Sequence, residues 1–323
     1  MGNRYLSKGF WRIAFEKYGT VLILLAMMII MTFLKPGFLT VRNLTNILRQ
    51  QTPVAIMAIG VAFTIISGGI DISGGSVIAM SAVILAKFAQ VNSTGTFYPI
   101  IVPIIAGILT GSLAGAVTGI SVSYGKIPPF IATLGMMSAA RGVALIVSKG
   151  RPITGFSSSF DFIGGGDFLG IPILVFILIV AYIIGYIILH KTKFGTYIFA
   201  IGSSQVAAEV SGVNVKKTKI LIYTLSGLFT GIAAILVASR TLSGQPGVGS
   251  GWEMQAITAV VLGGASFSGG IGTAIGTLIG ALIMGVLTNS MTMLQIDPAS
   301  QMVVRGAVIV LAVLLDERRN KHV

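Results

Sequence analysis

Residues 53–90 read PVAIMAIGVAFTIISGGIDISGGSVIAMSAVILAKFAQ. Two apolar runs, 53–67 and 74–90, flank the break Gly68-Gly69-Ile70-Asp71-Ile72-Ser73-Gly74-Gly75. Each run approaches the length of a bilayer-crossing helix, roughly 17–25 residues. The break frees backbone N–H and C=O groups inside that zone. Hydrocarbon does not satisfy them, so the segment must be buried in protein or line a watery cavity. The pattern returns at an offset of 195 as Gly263-Gly264-Ala265-Ser266-Phe267-Ser268-Gly269-Gly270, again GG-x-x-x-S-GG between apolar runs. Paired interruptions in two halves of a chain point to a transport path.

Eight further apolar runs lie at about 18–34, 99–123, 128–148, 171–189, 219–239, 252–265, 271–293 and 301–315. Ten spans are expected, several of them short or broken by glycine, and re-entrant turns stay open as a reading of the two breaks. The fold class is an all-α polytopic membrane protein with an internal repeat. One transmembrane unit covers 1–323, with no stretch left over for a separate aqueous domain. The first run follows Arg4, Lys8, Arg12 and Lys17 and is succeeded by Lys35-Pro36-Gly37, so it reads as an uncleaved span rather than a signal peptide.

Composition agrees. The 323 residues are 54% hydrophobic and 10% charged, with mean hydropathy +0.94. Soluble domains carry roughly 25% charged residues, so a soluble globular body is excluded, and such hydrophobicity excludes disorder. Cysteine is absent, and His190 and His322 are too few for a histidine metal centre, so neither metal nor cofactor is expected. The net charge of +13 is not read as a nucleic-acid footprint, because in a membrane protein its sidedness matters first. With the N-terminus inside, thirteen lysines and arginines fall on that side and six outside. Both termini (1–17 and 316–323) and the loop 190–219 are therefore expected in the cytoplasm.

Val41, Leu44 and Leu48 recur at helical spacing among Arg42, Asn43, Arg49 and Gln50. Segment 41–51 fits a helix lying in the outer interface, or an ordinary polar loop. Gly107, Gly111, Gly115 and Gly119 form an i, i+4 stripe, as do Gly272, Gly276 and Gly280. Such stripes let a neighbouring backbone approach, for tight packing or for sliding during gating.

Nine acids exist in the chain, and Asp71 and Glu253 lie closest to apolar runs. An intramembrane acid marks a functional site by default. Asp71 fits equally a cap for the helix starting near Ser73, and Glu253 a first-turn acid favoured by the helix dipole. The candidate translocation path comprises Asp71, Ser73, Glu253, Gln255 and Asn289. Arg141 and Arg305 either pair with acids in the bundle or snorkel to the outer interface. No enzyme motif is present. The lone Gly125-Lys126 is followed by Ile127, which breaks the phosphate-binding GxxxxGK[ST] pattern.

The loop 190–219 reads HKTKFGTYIFAIGSSQVAAEVSGVNVKKTK. Ser203 or Ser204 caps a short helix through Gln205–Glu209, stopped by Gly212. So short a helix needs a docking partner, unless the segment is simply a solvated basic loop.

At this loop the chain resembles a family, the bacterial ABC permeases for ribose and related monosaccharides. The resemblance is carried by Thr192-Lys193-Phe194-Gly195, Ala200-Ile201-Gly202, Ala207-Ala208 and Ser211-Gly212-Val213-Asn214-Val215. It is carried also by 67–76, by Pro129-Phe130-Ile131-Ala132-Thr133-Leu134, by Arg141-Gly142 and by 259–264. It implies a permease working as a pair, as a homodimer or with a sister permease, with a cytoplasmic ATPase and an extracytoplasmic sugar-binding protein. It implies an ATPase-coupling role for Gly202, Ser203, Ala207, Ala208, Glu209, Ser211 and Gly212. Two positions depart from the family pattern: Gly74 stands where valine is common, and Gln255 where aspartate is common two residues after the glutamate. Against an ATP-driven importer stand a proton-coupled secondary sugar transporter using Asp71 or Glu253, and a passive channel.

Overall fold

The computed structural model describes residues 3–91 and 98–320; the end of the expected cytoplasmic tail, Lys321 included, lies outside the described residues. The chain runs α1 (Asn3–Leu34), α2 (Val41–Ile66), α3 (Gly74–Ala89), α4 (Ile101–Ser123), α5 (Pro129–Ser148) and α6 (Ser158–Gly165). A small antiparallel hairpin, β1 (Asp167–Phe168) and β2 (Ile171–Pro172), follows. Then come α7 (Ile173–Lys191), α8 (Lys193–Ser203), α9 (Gln205–Val210), α10 (Val215–Thr241), α11 (Trp252–Leu262), α12 (Ala274–Met293) and α13 (Pro298–Asn320). Among the described residues, six helices are long and apolar enough to cross a membrane, and four shorter apolar stretches accompany them. The protein is an all-α membrane protein.

The helix α2 is central. Of its apolar window 89% is buried, against 17% for α5, so α5 lies at the rim and α2 in the middle. Its core partners are residues such as Phe229 and Leu236 of α10, Leu174 of α7 and Met284 of α12. The segment 41–51 is neither an interfacial helix nor a loop, but the first turns of α2. Thr40 caps it by accepting from the N–H of Asn43, and the helix passes through Pro53 without ending. Proline removes the N–H that would bond the carbonyl four residues earlier, that of Arg49. The Arg240 guanidinium takes its place, with Nη1 donating to that carbonyl at 2.8 Å.

The glycine stripe of α4 lies against α10 as the spacing predicts. A Cβ on Gly111 would sit 2.2 Å from the carbonyl oxygen of Gly227, and one on Gly227 would sit 2.1 Å from that of Gly111. Two backbones in direct contact leave room for no side chain on either. Gly276 and Gly280 meet α11 in the same way, at the carbonyls of Gly263 and Ala259. Gly272 is not on that helix face: α12 starts at Ala274, capped by Thr273 accepting from the N–H of Gly276. Gly272 lies in the preceding turn, against Ile66.

Two helices start deep in the bundle. After α2 ends, residues 69–73 run without helix, and α3 begins where Gly74 meets Met57. Met57 stands nine residues before Ile66, about 13 Å up α2 at 1.5 Å per residue. The α11 helix has 11 residues and spans about 16 Å, half a hydrocarbon core. The helix within the apolar run 252–265 is thus about half as long as a hydrocarbon core is thick. Its start and the segment before it pack on the start of α3, since a Cβ on Gly75 would lie 2.1 Å from Glu253 Oε2 and from the Gly249 carbonyl oxygen.

Candidate translocation and coupling sites

Asp71 is 4% exposed and accepts three hydrogen bonds. Its Oδ1 takes the N–H of Ser73 at 2.9 Å and the Ser73 hydroxyl at 2.6 Å, and its Oδ2 takes the Ser226 hydroxyl at 2.8 Å. The carboxylate holds the approach to α3 and pins it to α10. Ser73, at the N-cap of α3, makes no side-chain cap of its own, and its N–H and hydroxyl are taken up by Asp71.

The second GG segment is built alike with different residues. Ser266 occupies the position equivalent to Asp71 at the offset of 195, and the carboxylate comes from α13. Asp316 Oδ2 accepts from the N–H of Phe267 at 3.1 Å and from the Ser266 hydroxyl at 3.4 Å. Sequence reading placed Asp316 in a tail and gave it no part in the turn.

Glu253 sits in the first turn of α11 and its Oε1 accepts from the N–H of Gly251 at 3.2 Å, which matches its reading as a first-turn acid. Arg141 does not pair with an acid at contact distance. Its Nη1 donates to the carbonyls of Pro246 and Val248, at 2.6 and 2.9 Å, satisfying the irregular segment that leads into α11.

The candidate path residues separate into two groups. Asp71, Ser73 and Glu253 line none of the described cavities. Gln255 and Asn289 line one of about 410 Å³ between α2, α10, α11, α12 and α13. The Asn289 amide is consumed by Asn43 in a reciprocal pair at 3.0 and 3.1 Å. The cavity is lined as well by Gln51, Trp252, Thr288 and Arg240, all missed from the sequence, and by Arg305, singled out there only as a bundle or interface arginine. Gln51 and Arg305 were visible there as polar residues at or inside apolar runs. Arg305 Nη2 donates to Gln301 at 3.0 Å, while Gln51 Nε2, Thr288 Oγ1 and Arg305 Nε are buried without a partner.

The loop 190–219 holds two helices where one was expected. Thr192 caps α8 by accepting from the N–H of Gly195. Ser204, rather than Ser203, caps α9 by accepting from the N–H of Ala207 at 3.2 Å. The chain leaves α9 through Gly212 at φ +85, a left-handed conformation that glycine adopts freely. Ala208 is buried with Ile201 and Val215, while Ala207, Glu209, Ser211 and Gly212 are exposed. Val206 and Val210, one turn apart, are 74% and 85% exposed. Their i, i+4 spacing was legible in the sequence and went unused.

Gly202 and Ser203 close the arrangement. Gly270 donates its N–H to the carbonyl of Ile66 at 2.8 Å. A Cβ on Gly202 would lie 1.9 Å from that carbonyl oxygen and 2.4 Å from that nitrogen. Both GG segments and the end of α8 therefore share one end of the bundle.

Residues 43–313 match the family described as branched-chain amino acid transport system / permease component. The ribose import permease protein of Bacillus subtilis (strain 168) is 41% identical over 307 residues, 94% of this chain and 94% of its own length. That of Escherichia coli (strain K12) is 40% identical over 323 residues, 99% of this chain and 98% of its own. The galactose/methyl galactoside import permease protein of Escherichia coli (strain K12) is 35% identical over 313 residues, 92% and 93% of the two chains. No solved structure matches. A match of this extent places the chain, as a multi-pass protein of the bacterial inner membrane, in the family of permease subunits of ATP-binding-cassette importers.

Proposed function

We propose that the chain is the subunit through which a ribose-like monosaccharide enters the cytoplasm by alternating access. The observation that carries this is the likeness to ribose import permeases over 94% and more of both chains. The cavity chemistry agrees. Among its described lining residues there is no carboxylate to hold the ammonium of an amino acid, the ligand class in the family's own description.

The six long apolar helices and the four shorter ones account for ten spans, with the two GG segments as parts of a parallel repeat. Both termini and α8–α9 face the cytoplasm, where a separate ATPase subunit docks on Val206 and Val210. A sugar-binding protein docks on the opposite face, around 38–51 and 149–170, and holds most of the affinity for sugar. A second permease copy, identical or a sister, completes the path. Closure of the ATPase pushes α9, the push passes through Gly202 and Ser203 to both GG segments, and the short helices α3 and α11 shift.

A cell lacking this chain, with no paralogue, should lose high-affinity uptake of its sugar. Unchanged uptake in that deletion overturns the proposal.

A further inference from the structure

The geometry points to the 410 Å³ cavity beside α11 as a binding station for the sugar in transit, open to neutral hydroxyl-rich ligands and closed to cationic ones. This rests on the reading of the chain as a sugar permease. Its volume lies within the roughly 300–1,000 Å³ of small-molecule sites.

Three residues lining it, Gln51, Thr288 and Arg305, each hold a buried polar atom with no partner in the protein, Nε2, Oγ1 and Nε, which meets the cavity only when its side chain turns. Buried polar groups are nearly always hydrogen-bonded, so these three side chains gain a partner by turning toward a polar guest in the cavity. Gln51 is 5% exposed and is held across Gly285, where a Cβ would lie 2.9 Å from its Cγ. Glycine at 285 thus makes room for the amide. Nε2 of Gln51 and Nε of Arg305 are donors, and the Thr288 hydroxyl donates or accepts. Together they suit the ring and hydroxyl oxygens of a sugar. Trp252 adds an aromatic face for the sugar's C–H groups.

Charge sets the exclusion. Arg240 and Arg305 line the cavity, and no Asp or Glu does among the described lining residues. Arg49 is neutralised by Asp167. An ammonium group placed here would face guanidinium groups with no counter-charge, in surroundings that screen poorly.

Trp252 makes the cavity observable, because the sequence holds one other tryptophan, Trp11. The full-length permease carrying Trp11→Phe is purified in detergent and its fluorescence titrated with D-ribose. A saturable change is expected, and protonated D-glucosamine should give none. Gln51→Leu and Thr288→Val should each raise the half-saturating concentration about tenfold, the size of one lost buried hydrogen bond. Ser81→Ala removes another buried, unpartnered hydroxyl that lies outside the cavity, and should leave the titration unchanged. The absence of a saturable ribose signal overturns the station, as does an equal response in Gln51→Leu and Thr288→Val. An equal response to D-glucosamine overturns the exclusion. Import of ribose by the assembled transporter alongside a silent titration would sink the station and leave the importer reading standing.

Discussion

The backbone N–H of Gly270 donates to the carbonyl of Ile66 at 2.8 Å, so the second GG segment is joined main chain to main chain to the end of α2, two residues before the first. This bond also satisfies one of the carbonyls that the end of α2 leaves open. Gly202 lies against both of its atoms. Gly202→Ala forces backbone apart rather than a flexible side chain, at a cost of about 1–3 kcal/mol. ATP hydrolysis by the assembled transporter should persist while sugar uptake falls, measured side by side in one preparation. Gly135→Ala, where a Cβ meets nothing within 4 Å, should leave both unchanged. Coupled uptake in Gly202→Ala would remove this junction from the mechanism.

Asp71 receives three donors and offers none. Asp71→Ala leaves all three donors without their acceptor, and the loss should be about 2–3 kcal/mol, against about 1 kcal/mol for Ser226→Ala. Thermal melting of both variants and of their double mutant checks this, with less-than-additive losses expected from a shared bond. Additive losses would mean that the Asp71–Ser226 contact contributes nothing.

Pro53 and Arg240 form a second testable pair. Arg240→Ala leaves the Arg49 carbonyl without the guanidinium that replaces the missing N–H of residue 53. The expected cost is about 1–3 kcal/mol. In a Pro53→Ala background, residue 53 supplies its own N–H to that carbonyl, and the cost of Arg240→Ala should shrink. Melting temperatures of the four proteins decide, and an undiminished cost would refute the substitution of one donor for the other.

Val206 and Val210 present an apolar edge on a helix of six residues. Val210→Asp should leave folding unchanged, since the side chain is exposed, and should weaken capture of the ATPase about tenfold or more. Pull-down with the transporter's ATPase subunit measures this, and wild-type capture would place the ATPase elsewhere.

Much of the fold was legible because apolar runs and helix caps are local signals. The runs 99–123 and 128–148 fall within two residues of α4 and α5, and the helix after Ser204 stops before Gly212 as its caps dictate. Where the structure departs from expectation, the cause is tertiary. Segment 41–51 reads as amphipathic and separate because Pro53 follows it, and only Arg240, 191 residues away, explains why the helix continues. Glu253 and Gln255 are two residues apart in sequence, yet only Gln255 reaches the cavity. Asp316 reads as a tail residue because its partners, Ser266 and Phe267, are about fifty positions back.

The central claim is that ATP, through a partner bound at α8–α9, drives sugar through this chain. Proteoliposomes holding the permease with its ATPase and sugar-binding protein test it, with labelled ribose outside and ATP enclosed. Uptake should require ATP, survive an uncoupler, and vanish when the ATPase is omitted. Ribose uptake by the permease alone, driven by an imposed proton gradient and abolished by the uncoupler, would contradict the account.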